Sequence, residues 1–167
     1  MGRGTAAMAE QERTKAIELF EEAYRYQMAG ELETAIQLYK ESIELHPTAE
    51  AHTFLGWTYS FQGRLDDAIH ECLRAIEVDP SLGNPYNDIG VYLVQQRKDE
   101  EAIPWLERAK GAPRYEPRHF PYLNLGQIYR RKGQFLRAIQ EFERAIELNP
   151  GDKLATRSLA EVRALLN

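Results

Sequence analysis

A small residue that returns at a nearly fixed interval constrains this chain more than any other feature. Ala23, Gly56, Gly90 and Gly126 stand 33, 34 and 36 residues apart. Twelve residues after each comes an alanine, at Ala35, Ala68, Ala102 and Ala138. Seven further on comes another small residue, at Ser42, Ala75, Ala109 and Ala145, and three of the four units close on proline, at Pro47, Pro80 and Pro150. Small residues in register at this period mark stacked helical hairpins, because two helix backbones approach closely only where side chains are small. Within residues 134–148 the apolar Phe135, Ala138, Ile139, Phe142, Ala145 and Ile146 recur at spacings of three and four, the stripe of one amphipathic helix. Polar turns such as Gln62-Gly63-Arg64 and Lys132-Gly133-Gln134 join the two helices of a unit.

The fourth unit reads Tyr122, Leu125-Gly126, Tyr129, Ala138, Phe142, Ala145 and Pro150. That order of aromatic, Leu-Gly, Tyr, Ala, Phe, Ala and Pro resembles the tetratricopeptide repeat. The second unit follows it with Leu55-Gly56, Tyr59, Ala68, Cys72, Ala75 and Pro80. The first gives Leu19, Ala23, Tyr26, Ala35, Tyr39, Ser42 and Pro47, with Glu22 where leucine is usual. The third gives Tyr86, Ile89-Gly90, Leu93, Ala102, Leu106 and Ala109, without a closing proline in register. The resemblance covers roughly residues 16–150 and implies an all-α fold, a right-handed superhelical array of four helix-turn-helix units. The units fall at 9–48, which includes an amino-terminal helix extension, at 49–82, at 83–118 with its connecting loop, and at 119–151. Residues 152–167 read as a capping helix whose apolar side is Leu154, Leu159, Val162, Leu165 and Leu166, and residues 1–8 as a disordered tail or an expression remnant. Pro85 and Pro121 fit the first turn of a helix, with Asn84 as a cap. Pro104 lies beyond the first turn and is expected to kink its helix or shift its start. Residues 110–120 form the one long connection, a spacer and a possible contact loop.

Composition narrows the function class. No apolar run is long enough for a membrane span, and no secretory apolar region opens the chain. The net charge of −5 argues against general nucleic-acid binding, which needs a basic face. One cysteine, Cys72, occupies an aromatic core slot, which fits a reducing compartment and makes the cytoplasm the default location. The four histidines, His46, His52, His70 and His119, show no metal-ligand spacing, and neither a phosphate loop nor a nucleophile elbow is present. The expectation is a chain that is not an enzyme and uses no metal or cofactor.

The resemblance places a concave groove along the first helix of each unit. It implies Phe20, Tyr24 and Met28 from the first unit, Trp57 and Phe61 from the second, and Asn87 from the third. From the fourth it implies Asn124, Gln127, Arg130 and Arg131. The amino-terminal half of this lining is aromatic and lies off the core slots filled by Leu19, Ala23, Leu55 and Gly56, as an interaction surface does. The other half is polar and basic. A subset of the family clamps acidic carboxyl termini with Lys, Asn and Arg, but the matching positions here hold Phe20, Tyr24, Phe54, Asn84 and Asp88, or, one unit on, Thr53, Trp57, Asp88, Phe120 and Asn124. Neither register rebuilds the clamp. The leading expectation is a scaffold or adaptor that binds a protein or peptide with apolar anchors toward one end and acidic residues toward the other. A self-assembling scaffold, a possible homo-oligomer through Val162, Leu165 and Leu166, comes second, and a repeat-type secretion chaperone third.

Overall fold

The computed structural model of the chain describes residues 2–166. Among them are nine helices: α1 (Gly2–Met28), α2 (Leu32–Leu45), α3 (Ala49–Phe61), α4 (Leu65–Val78), α5 (Asn84–Gln95), α6 (Asp99–Lys110), α7 (Phe120–Arg131), α8 (Phe135–Leu148) and α9 (Lys153–Ala164). The one extended pairing among the described residues is a single parallel bridge between Leu82 and Arg114. The helices pair in chain order, α1 with α2, α3 with α4, α5 with α6 and α7 with α8, and α9 packs on α8. The backbones of odd-numbered helices also approach one another, α1 with α3, α3 with α5, α5 with α7 and α7 with α9, whereas those of even-numbered ones do not, and α6 reaches α8 through the long Lys110 side chain, which pairs with Glu141 at 2.9 Å. The odd helices therefore form the shorter, inner wall of a curved array and the even helices its outer wall.

The periodic small residues sit at the hairpin crossings. Ala23, Ala35, Ala68, Ala102 and Ala138 have no exposed surface. A methyl group on Gly126 would lie 2.5 Å from the Phe142 ring, and one on Gly90 2.5 Å from Leu106, so a larger side chain at either place has to push the facing helix away. Leu55, Ile89, Leu125, Tyr39, Leu106 and Phe142 fill the space between the layers in one continuous core.

Each hairpin turns on a residue with positive φ: Gly30 (82°), Gly63 (73°), Arg97 (61°) and Gly133 (71°). In all four the next amide closes a bond back to the helix, such as Arg64 N to the Tyr59 carbonyl at 3.1 Å and Lys98 N to the Leu93 carbonyl at 2.9 Å. Arg97 is the exception in kind, since an L side chain in the left-handed region costs about 1–2 kcal/mol. Part of that is offset because glycine has more freedom to lose on folding. Arg97→Gly is therefore expected to stabilise the chain by about 0.5–1 kcal/mol, read as a higher Tm. A lower Tm would show that the arginine contributes contacts that outweigh its strain.

Four expectations meet a different outcome. Residues 2–8 continue α1 rather than forming a tail, while Met1 lies outside the described residues, as does Asn167 of the cap segment. Asn84 is the first residue of α5, not its cap, and Gly83 precedes it. Pro85 and Pro121 do fall in the first turns of α5 and α7. Of the two outcomes expected for Pro104, the shifted start does not occur, since Pro104 lies inside α6 and Ala102 is the fourth residue of α6 just as Ala68 is of α4 and Ala138 of α8. Val162 is fully buried, so it offers nothing to an exposed edge of the cap.

The connection at 111–119 is docked on the array rather than looping free. Tyr115 is 4% exposed, and its side chain lies so close to Gly83 that a Cβ there would sit 2.4 Å from the ring. The Arg114 carbonyl accepts from Gly83 N at 2.8 Å, and Arg114 N donates to the Ser81 carbonyl at 3.0 Å. The Arg114 guanidinium donates to Asp79 at 2.5 Å and to Glu50 at 3.0 Å, which ties the segment to α3. Arg118 donates to the carbonyls of Lys110 and Ala112, closing the segment on itself.

Candidate functional site

On the inner wall, the aromatic residues expected from the sequence meet in a connected series of rings. Phe20 packs edge-on to Tyr39 at 5.5 Å and to Phe54 at 5.2 Å, and Tyr24 packs on Phe54 at 5.7 Å. Phe54 packs on Trp57 at 5.7 Å, and Trp57 on Phe61 at 5.2 Å. Edge-to-face geometry is the arrangement aromatic quadrupoles favour. The rings hold one another and still face outward: Tyr24 is 41% exposed and Phe61 52%. Phe20 and Trp57 are half-buried, and Met28 stands exposed at the end of α1.

Phe54, absent from the expected lining, is the hub of the series. Three and seven residues separate it from Trp57 and Phe61, which puts all three on one face of α3, and that spacing is the signal that identifies it.

Beside the rings opens a pocket of about 390 Å³. Phe54 and Trp57 of α3, Val91 of α5 and Phe120 of α7 form its apolar walls, and Tyr115 and Pro117 of the docked segment close one side. Asn87 and Asn124 also line it, and the Asn124 amide donates to the Asn87 side-chain oxygen at 3.0 Å. The residue with a titratable acid in this lining is Asp88. Burial pushes its carboxyl up to about 7, partly offset by a hydrogen bond from Asn87. Its negative charge in turn raises the buried Tyr92, Tyr115 and Cys72 groups around it, adding to the larger effect of their own burial. A smaller hollow of about 220 Å³ lies where α1 meets the end of α2 and the start of α3, lined by Ile17, Phe20, Ser42, His46 and Glu50.

The basic half of the expected groove is already engaged. Arg130 pairs with Glu161 of α9 at 2.7 Å, and Arg157 reaches the same carboxylate at 2.8 Å. Arg131 pairs with Asp99 of α6 at 2.9 Å, and Gln127 donates to Ser158 of α9 at 2.8 Å. These groups fasten α7 to its neighbours, and Glu161 and Asp99 already offset the positive charge that an acidic ligand would meet there. Of the ten expected lining residues, Trp57, Asn87 and Asn124 come together in the larger pocket. Phe20, Tyr24 and Phe61 flank it through the ring series, Met28 stands apart at the end of α1, and Gln127, Arg130 and Arg131 lie in the polar seam with α6 and α9.

Two histidines are buried against carboxylates. His52 Nδ1 and Glu71 Oε2 meet at 2.7 Å between α3 and α4, both buried, and His119 lies 3.6 Å from Asp152. Among the described residues no three His, Cys, Asp or Glu side chains group closely enough to hold a metal ion. Also among them, no helix is long and apolar enough to cross a membrane.

Comparison with known proteins gives matches to tetratricopeptide repeat models over residues 49–82 and 119–152. An uncharacterized protein of Haemophilus influenzae is 31% identical over 64 residues, which are 38% of this chain; the match spans only about a third of that protein, 36% of its length. Among solved structures, PilF of Pseudomonas aeruginosa superposes with a TM-score of 0.84 at 22% identity, covering 91% of this chain and 69% of that one. YrrB, described as a repeat protein with an unusual peptide-binding site, superposes with a TM-score of 0.69 at 23% identity, covering 96% of this chain and 82% of its own.

Proposed function

The chain belongs to the tetratricopeptide-repeat family, and from that premise we propose that it is a non-enzymatic interaction module that binds a partner peptide or helix in its concave groove. The observation that carries the reading is the ring series on the inner wall, half-buried at Phe20, Phe54 and Trp57, exposed at Tyr24 and Phe61, and opening onto a pocket walled by three successive hairpins and the docked segment. Large exposed aromatics beside a concavity are the composition of binding hot spots. Peptide binding described for YrrB, which shares the fold, agrees with it. The ligand presents apolar anchors to the α1–α3 end. With Arg130 and Arg131 held by Glu161 and Asp99, we assign no acidic preference to the α7 end. A reducing compartment, the cytoplasm, suits a chain whose cysteine is a fully buried core residue.

Truncating Trp57 to alanine is expected to cost at least about 1–2 kcal/mol of partner affinity while leaving the helical content unchanged. Capture from native lysate by the wild type, lost by a Tyr24→Ala/Trp57→Ala double variant that stays folded, supports the groove. Equal capture by both moves the site to the outer wall, the 111–119 segment or the cap.

A second reading, self-association, rests on α9. Leu154 and Leu165 are 55% and 59% exposed, and their spacing of eleven residues puts them on one side of the last helix. Light scattering over a concentration series decides it, since a strict monomer removes this option.

A further inference from the structure

The groove pocket holds an unusual imbalance of charge. Asp88 is the one carboxyl lining it, and among the described residues no Lys, Arg or His contributes to its electrostatic surroundings. The arginines that could have reached the groove are committed elsewhere: Arg114 to Asp79 and Glu50, Arg130 to Glu161, Arg131 to Asp99, and Arg118 to backbone carbonyls. The groups that face Asp88 from the packed elements are Cys72 of α4, Tyr92 of its own helix and Tyr115 of the docked segment, none of them cationic. An isolated carboxylate in an apolar pocket is costly, and what relieves that cost is a cation brought by a ligand. The walls are suited to one. Phe54, Trp57 and Phe120 supply aromatic rings for a cation and apolar surface for its methylene stem, and the Asn124 side chain can hold a peptide backbone beside it.

Resting on the groove reading above, we propose that the pocket takes a lysine or arginine side chain of the partner segment, with Asp88 as its counter-charge and apolar partner residues on the rings to either side. A carboxylate in the same position is opposed by like charge once Asp88 is ionised. The protonated form of Asp88 has no charge to offer, so binding a cation releases its proton, and affinity rises with pH across neutrality.

The test is a random dodecapeptide library panned at pH 8 against the full chain and, in parallel, against Trp57→Ala. Enriched sequences are expected to carry Lys or Arg between apolar residues and to be lost on Trp57→Ala. In solution titrations, replacing that basic residue by norleucine is expected to weaken binding at least about ten-fold to the wild type and to make little difference to Asp88→Asn. Asparagine matches the shape of the protonated acid, and the norleucine peptide tests the same charge without altering the protein. Wild-type affinity for the basic peptide is expected to rise about ten-fold from pH 6 to pH 8, and that of Asp88→Asn to stay level. Enriched peptides without a basic residue, or a norleucine penalty equal in wild type and Asp88→Asn, overturn the proposal and leave the groove reading standing. Enrichment that survives Trp57→Ala, or none on either protein, overturns the groove reading and this proposal with it.

Discussion

Tyr115→Ala is expected to destabilise the free protein by about 3–5 kcal/mol, the largest loss of any single change outside the repeat cores. The side chain is 4% exposed and packs with Tyr86, Ala109 and Ala112 in a small cluster of its own, against the backbone of Gly83. Removing it leaves a cavity between α5 and the docked segment that the segment is not free to fill, because Arg118 and the Gly83–Arg114 bond still hold its two ends. The contrast is Arg114→Ala. Arg114 makes the most visible contacts in the segment, to Asp79 and Glu50, but its side chain is half exposed, and pairs of that kind are worth about 0–1 kcal/mol. Urea unfolding of the wild type and both variants in one buffer checks the order. A Tyr115→Ala loss under about 1 kcal/mol, or one no larger than that of Arg114→Ala, would mean that the segment is held by its charges and not by its aromatic anchor.

The array itself was legible in the sequence because its determinants are local and periodic. Gly90 facing Leu106 and Gly126 facing Phe142 are partners within one hairpin, so a single repeat carries the whole instruction. The candidate site was less legible for the opposite reason. Arg130 and Arg131 read as free cations until the curvature of the array brings Glu161 and Asp99 beside them, 31 and 32 residues away in the chain. Arg114 meets Glu50 from 64 residues away, and no periodic signal marks Tyr115 as the wall of a pocket, since its segment lies outside the repeat. Asp88 was visible only as a charge that would repel a carboxylate. Its isolation among Cys72, Tyr92 and Tyr115 is a property of packing, which the sequence does not display. At the amino terminus, residues 1–8 read as a tail, yet α1 begins at Gly2.

Asp88→Asn is expected to stabilise the free protein at pH 8 by on the order of 2–4 kcal/mol, and to have little effect near pH 4. The sign follows from proton counts. The folded-state carboxyl is held up at about 7 against 3.8 when unperturbed, so between those values the folded chain binds more protons than the unfolded one. Stability contributed by this group therefore falls as pH rises through that window and is level above it. Asparagine keeps the shape and carries no charge to desolvate, which removes the loss. The lower part of the range applies, because the carboxyl lines an open pocket and keeps some contact with water. Asp79 acts in the other direction, since Ser81 and Arg114 hold its carboxyl down at about 2, and its contribution is lost only as pH falls through the range from 3.8 to 2. That group is shared by both proteins, so the difference between their unfolding free energies from pH 4 to pH 8 isolates Asp88. A difference that is flat with pH, or that grows toward pH 4, would mean that Asp88 is ionised with ease in the folded chain. A rising difference would identify a carboxylate kept at a cost in stability, as expected of a group whose counter-charge arrives with the partner.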